Sequence, residues 1–289
     1  MAERTVAVIT DSACGIDPHL AADFGVYVVP VRVVIGDEIF ADGTLSEADV
    51  LARMESGASV RTEEPHVQAL SSAFTDCANA GASAIVAVMV GSSLSKTVIA
   101  TQTAARTSPI PVTVVDTGTT SMAQGYAALA AGATSVLGGT ADEVAAAAQS
   151  VADGSVSYFT VDTLEYLRRG GRMSGAVAAF GTLLKMRPVI KVGRNTQEVA
   201  DRVRKTENAR RTVREFVEKA ASGMARPAAA VGLAGSDPLS QGLGIAVNGP
   251  TMVSRPPTSL VINSGEGMYN ATVADMPEAF HTVYAQVSR

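Results

Sequence analysis

The 289-residue chain contains no tryptophan, and six Tyr and seven Phe bring the aromatic share to only 4%. An interior with so few large rings is built from Ala, Val, Leu and Gly, which suits helices packed on a sheet better than a sandwich. Cysteine is scarce too: Cys14 and Cys77 are the only two. They stand far apart, with no CxxC pair and no His/Cys cluster, so neither a disulfide framework nor a metal site is expected. Each cysteine reads as a small buried hydrophobe. An excess of one charge is also lacking. Twenty-three basic and 28 acidic residues give a net charge of −5 without long runs of either sign. No binding to nucleic acid is expected from that balance, and none to an anionic membrane surface. No apolar run reaches the roughly eighteen residues that a membrane helix needs, and nothing reads as a signal peptide, so the expected address is cytoplasmic.

What is present is apolar, at 47% of residues, and organised. Val6 to Ile9 is a short apolar run ending in Thr10-Asp11-Ser12, the mark of a buried strand. Asp17-Pro18 supplies an N-cap and a first-turn proline. The β-rich stretch Val26–Ile35 is interrupted by Pro30, and Ser46-x-x-Asp49 resembles a capping box. Apolar spacing makes 65–80 helical. Strand 84–90 leads through Gly91-Ser92-Ser93-Leu94-Ser95 into a helix to about Arg106. Strand 112–115 precedes a small-residue helix through Ala131 and another over 141–152. Strands alternating with helices predict a parallel wound sheet. A linker is expected at Asp153-Gly154-Ser155. Beyond it the pattern predicts strand 157–161, helices 163–168 and 175–184, strand 188–192, a basic stretch 202–211 opening a helix to Ala221, and apolar strands at 228–233 and 258–263. The expected division is an N-terminal α/β domain with a parallel sheet over 1–153 and a C-terminal α/β domain over 154–289.

Three places carry candidate chemistry. Gly91–Thr97 lies at a strand's carboxyl end and a helix start, where backbone N–H groups and the helix dipole favour an anion. Hydroxyls of Ser92, Ser93 and Ser95 add donors there, and Lys96 adds charge. The bland alternative is an ordinary serine N-cap. An enzymatic reading needs a GxSxG elbow, which is absent, and a base. Only His19, His66 and His281 exist, none visibly paired with a serine. Arg168-Arg169-Gly170-Gly171-Arg172 displays guanidinium groups suited to a carboxylate or phosphate, or else is a solvated basic helix end. Asp11-Ser12 and Asp116-Thr117 sit at strand ends where α/β folds place ligands, although capping and turn formation account for both. Gly242-Leu243-Gly244 lacks the third glycine and the preceding strand of a dinucleotide fingerprint.

In order and spacing these segments resemble the DegV family. The match is carried by Val8 to Ser12, Tyr27 to Val31, Thr62-x-x-Pro65, and Ser92-x-Leu94-Ser95-x-Thr97. It continues through Val115-Asp116-Thr117, Tyr166-Leu167-x-x-Gly170-Gly171-Arg172-Met173-Ser174, the Leu184 to Ile190 segment, Arg204 and Ala209. It covers residue 5 to about 210, with a weaker tail to Ala274. The resemblance implies two α/β domains with a ligand tunnel between them and no chemistry of the chain's own. It implies one long-chain fatty acid as ligand and no cofactor. The carboxylate is then held by Thr62 and Ser95, with Lys96, Ser92 and Asn263 as further ligand-binding candidates. A separate ATP-dependent partner, a dihydroxyacetone-kinase-like fatty acid kinase, would phosphorylate the presented carboxylate to an acyl phosphate for phospholipid synthesis. Arg172 and Arg204 are the expected partner contacts. Four residues depart from the family pattern, at three places. Glu63 and Glu64 replace Ser-Gln beside Thr62, Lys96 replaces Gly, and Asn263 stands where a His is usual. Lys96 can offset the repulsion from the two glutamates. Asn can donate to a carboxylate but cannot become charged. The rival readings are a divergent member holding another apolar carboxylic acid, a Ser95-dependent esterase-like enzyme, and a structural partner with an empty cleft.

Overall fold

A computed structural model of the chain describes residues 5–178, 186–235, 238–254 and 256–288. Much of the first half alternates strands and helices as its patterning predicts, although the strands at 38–41 and 60–63 are not among the expected elements. Strand β1 (Val6–Asp11) passes through a 3-10 turn to helix α1 (Pro18–Asp23), where the Asp17 carboxylate accepts from the N–H groups of His19 and Leu20. Pro30 separates β2 (Val26–Val29) from β3 (Arg32–Ile35). Strand β4 (Glu38–Ala41) and helix α2 (Glu47–Glu55) follow. Ser46 Oγ caps α2 by accepting from Asp49 N at 3.1 Å, while the Asp49 carboxylate takes the Ser46 hydroxyl at 2.6 Å rather than the backbone N–H a full capping box would offer. Next come β5 (Val60–Glu63), α3 (Val67–Asn79), β6 (Ala84–Met89), α4 (Thr97–Ala105), β7 (Val112–Asp116), α5 (Ser121–Val136) and α6 (Ala141–Gly154). The expected linker is therefore shorter. Asp153 and Gly154 close α6, with Gln149 Nε2 donating to the Asp153 carboxylate at 2.9 Å.

The second half departs further from its sequence pattern. It runs β8 (Val156–Thr160), α7 (Glu165–Gly170), α8 (Gly175–Ala178), β9 (Arg187–Gly193), β10 (Thr196–Val203), α9 (Thr206–Ala221), β11 (Pro227–Leu233), β12 (Thr251–Val253), α10 (Thr258–Ser264), β13 (Tyr269–Asp275) and α11 (Glu278–Val287). The helix expected over 175–184 is seen only in its first turn, since 179–185 lie outside the described residues. The expected apolar strand at 258–263 is instead the helix α10. A six-residue apolar run fits either period, and here a distant group decides. The Asp42 carboxylate accepts from Ser259 N at 3.1 Å and from Ser259 Oγ at 2.6 Å, capping the helix start. The strand is β13, one segment later. Its buried Asn270 and Thr272 hide its apolar character, and the Thr272 hydroxyl pairs with Ser157 at 2.7 Å.

Contacts divide the chain into two compact units, residues 1–32, 63–154 and 276–289 in one, 33–62 and 155–275 in the other. The expected boundary after Asp153 lies beside one crossing, but two segments group differently from a simple two-stretch division. Residues 33–62 share a core with α10 through Val33, Ile35, Val50 and Ile262. The last helix returns Phe280 to Phe24 and Tyr126, at ring-centroid distances of 5.4 and 6.2 Å.

The first unit is built on a parallel sheet of order β2-β1-β6-β7. Ile9, Ile85, Ala87 and Met89 pack with residues of α3 and α4, and α5 and α6 also pack on the sheet. Layers on both faces explain why these strands read as unbroken apolar runs. Helix α5 is buried over nearly its whole length. A Cβ at Gly125 would meet Cys14 O at 2.8 Å, so its small residues admit backbone at van der Waals distance. The second unit holds a sheet of order β10-β9-β8-β13-β11-β12, antiparallel except for the β11–β12 pair, and a small sheet β4-β3-β5.

Candidate functional site: hydroxyl and amide donors in each unit

In the first unit the Gly91–Lys96 turn leaves β6 and enters α4. Gly91 N donates to Thr119 O at 2.8 Å, and a Cβ at Gly91 would lie 2.6 Å from Gly118 C and 2.7 Å from Thr119 N. Only glycine admits so close a backbone. Asp116, at the end of β7, holds both sides: its Oδ1 accepts from Ser92 N and from Gly118 N, each at 3.0 Å. Asp11 does the equivalent work at the end of β1, accepting from Ala13 N at 3.0 Å and from Val90 N at 2.9 Å. Both aspartates thus serve turns at the carboxyl edge of the sheet. Ser95 Oγ lies 2.8 Å from Thr97 Oγ1 and accepts from Thr97 N at 3.3 Å. Lys96, the N-cap residue of α4, makes no side-chain capping bond. Ser92 and Lys96 are exposed and Ser95 half-buried. The turn therefore gathers one lysine and three serines at a helix start whose dipole favours negative charge.

The histidines are engaged otherwise. His66 Nδ1 accepts from Gln68 N at 3.2 Å and caps α3. His19 sits exposed in the first turn of α1, and His281 meets Phe280 edge-on at 5.3 Å. Ser95 thus faces a threonine hydroxyl.

Glu63, next in sequence to the candidate residue Thr62, has its own counter-charge. Arg32 Nη2 is 2.9 Å from the Glu63 carboxylate, and Arg32 Nε donates to Glu64 O at 2.9 Å. The sequence offers Lys96 for the offset of both glutamates; for Glu63 an ion pair also comes from Arg32, thirty-one residues upstream, which spacing alone does not connect to it.

In the second unit, Thr62 and Asn263 come together. Asn263 Nδ2 donates to Ser259 O at 2.8 Å and lies 3.4 Å from Thr62 Oγ1. Glycines shape this wall. Gly265 (φ +81) lies against the Tyr166 ring, where a Cβ would be 2.6 Å from Cε2. At Gly267 (φ +73) a Cβ would be 2.7 Å from the Asp162 carboxylate, which is itself ion-paired to Arg187. Asp42 and Ser259, which set α10 and so Asn263, were not among the sequence candidates. They are 217 residues apart, and neither belongs to a recognisable motif.

The arginine-glycine segment divides. Arg168 and Arg169, in the last turn of α7, pair with Glu165 at 3.6 and 2.8 Å. Gly171 (φ 67) is the left-handed cap, so this part is a basic helix end. Arg172 is half-buried and donates to Gly170 O, whereas Arg204 is exposed just ahead of α9. Gly242 O and Gly244 O accept from Arg214 Nη1 at 3.1 and 3.5 Å, which ties that segment to α9. Among the described residues no group of three or more His, Cys, Asp or Glu could hold a metal, and no helix is long and apolar enough to cross a membrane.

Comparison with known proteins decides the family. The model of the DegV family, described as uncharacterised proteins, matches residues 5–248. The chain belongs to the DegV family. A DegV domain-containing protein of Streptomyces coelicolor is 37% identical over 221 residues, 76% of this chain and 79% of its own. Among solved structures, a DegV family protein from Thermus thermophilus that binds fatty acid superposes with a TM-score of 0.86 at 26% identity, over 94% of this chain and 100% of its own. DegV of Bacillus subtilis, a fatty acid binding protein, matches with a TM-score of 0.81 at 21% identity over 94% and 99%, a likeness of fold. The DegV fold of two α/β domains is thus shared, and the Thr62, Ser95 and Gly170-Gly171-Arg172 motifs fall inside the matched span.

Proposed function

We propose that this DegV chain binds one long-chain fatty acid and performs no chemistry on it. The likeness to the Thermus thermophilus protein over nearly the full length of both chains carries this reading. Local chemistry supports it. Ser95 and Thr62 offer hydroxyl donors to the carboxylate, Lys96 offers positive charge at a helix start, and Ser92 and Asn263 complete the candidate set. The Arg32 pairing lessens the electrostatic objection, because the Glu63 carboxylate already has a counter-charge. Energetics favour a tail-driven ligand. Burial of about fifteen methylenes yields roughly 12 kcal/mol gross at ~0.8 kcal/mol each. A neutral hydrogen bond to the head adds only about 1 kcal/mol net. The affinity therefore tolerates the replacement of a chargeable His by Asn263.

In this reading the carboxylate is presented to a dihydroxyacetone-kinase-like partner, which transfers phosphate from ATP to form the acyl phosphate, and Arg172 and Arg204 meet that partner. The Ser95-dependent esterase reading has no observation in its favour, since Ser95 pairs with Thr97 and His66 caps a helix. Solvent extraction of the purified protein, followed by mass spectrometry, tests the binding. Close to one fatty acid per chain is expected. A lipid-free protein whose melting temperature ignores added palmitate or oleate rules it out.

A further inference from the structure

Gly170 and Gly171 adjoin in the sequence but are glycine for different reasons. Gly171 occupies φ +67, which an L side chain rarely adopts. Gly170 ends α7 without a positive φ, so its backbone would accept alanine. Its environment would not: a Cβ there would collide with Asn263 Oδ1. Gly170 is thus a flat surface against which the Asn263 amide rests.

That contact completes a set of constraints on one side chain. The Ser259 carbonyl, one turn back on α10, accepts from Asn263 Nδ2 at 2.8 Å. The reverse orientation would set two acceptor oxygens against each other, so the NH2 end must face Ser259 O. The second N–H of the same group points to Thr62 Oγ1, 3.4 Å away. An amide NH2 accepts nothing. Thr62 can therefore only receive this hydrogen bond, and its own O–H is left to donate elsewhere. Helix α10 is held in place for this by the Asp42 carboxylate on Ser259.

We propose that Gly170 and Asn263 form a clamp that fixes Thr62 as a hydrogen-bond donor and thereby selects an acceptor-only head group, a carboxylate. Asn263 is then a positioning residue that acts through Thr62, and Gly170 acts through Asn263. The inference rests on the fatty-acid reading above and adds how one donor is set.

A double-mutant cycle separates the clamp from direct contact. Palmitate affinity is measured for wild type, Asn263→Ala, Thr62→Ala, Gly170→Ala and the pairs, with melting temperatures recorded without ligand. Thr62→Ala and Asn263→Ala should each weaken binding by about tenfold, the range of one hydrogen bond to a charged group. The Thr62→Ala/Asn263→Ala pair should be no weaker than Thr62→Ala alone. Gly170→Ala should weaken binding in the wild-type background and leave Asn263→Ala unaltered, because the obstructing amide is gone. Asn263→Ala should also narrow the preference for palmitate over hexadecylamine, since the clamped hydroxyl has one of its two lone pairs taken by Asn263, whereas the freed one can turn either lone pair to an ammonium group. Additive losses, or an unchanged acid-to-amine preference, overturn the clamp and leave fatty-acid binding standing. A wild-type protein that binds no palmitate overturns both.

Discussion

The two units hold their candidate donors by different means. In the first, the Ser95 turn is fixed by backbone against backbone: Gly91 lies on Gly118 and Thr119, and Asp116 bonds to N–H groups on either side. In the second, Asn263 bonds to Thr62 and glycines lie against side chains, Gly170 on Asn263, Gly265 on Tyr166 and Gly267 on Asp162. A backbone wall cannot yield, whereas a side-chain wall can be removed and refilled. The first unit should therefore resist change around its turn, and the second should be where substitutions alter the Thr62–Asn263 pair.

The largest effect that tests this contrast is expected in the core of the first unit. Phe280→Ala removes a fully buried ring packed on Phe24, Tyr126 and Tyr284. It should cost about 3–5 kcal/mol in denaturant unfolding. Next comes a matched pair of glycine substitutions. Gly91→Ala should destabilise by about 2–3 kcal/mol, and no side-chain truncation should restore it, because only backbone atoms obstruct the new methyl. Gly265→Ala should be destabilising too, but Tyr166→Ala should recover the steric part and leave the cost of φ +81. Equal rescue at both sites, read by melting temperature, would erase the contrast. Ser95→Ala should then reduce fatty-acid retention by about tenfold while the protein stays folded.

The smallest effect is electrostatic. The Glu47 carboxyl is pushed above its ordinary range by burial, against a lowering hydrogen bond from Gly235 N–H, with a further push from Glu266. A folded-state pKa above the unfolded one means that the folded protein holds its proton more tightly. The contribution is fully present below the ordinary carboxylate pKa and is lost as pH rises through the raised value. Glu47→Gln should therefore raise the melting temperature slightly at neutral pH, and the gain should vanish in acid.

The same difference between the units governs what the sequence makes legible. A parallel sheet covered on both faces writes itself as apolar runs between helices, so β1, β6 and β7 with their helices follow from patterning. An antiparallel sheet with polar residues inside it does not. Asn270 and Thr272 disguise β13, and the polar edge strand β10, with its bulge between Val199 and Asp201, is not among the expected elements, its last residues falling in the basic stretch 202–211. The short run 258–263 has no intrinsic preference strong enough to outweigh Asp42, which caps it as a helix. Of the candidate donors, Ser92, Ser95 and Lys96 stand out at a strand-to-helix turn, whereas Thr62 and Asn263 are candidates only through the DegV resemblance. Their supports, Arg32 for Glu63, Asp42 for α10 and Gly170 for Asn263, are long-range pairings that no local pattern encodes.

Helix α11 has a consequence for how the chain is made. Ribosomal synthesis delivers residues from the amino end, so the strands of the parallel sheet emerge first, yet Phe280 is among the last aromatic residues to appear. At roughly ten residues per second, on the order of ten seconds separate the emergence of α6 from that of α11. During that interval Phe24 and Tyr126 lack the ring that covers them. A nascent chain stalled before Met276 would carry an exposed apolar seam, the kind of surface that chaperones recognise.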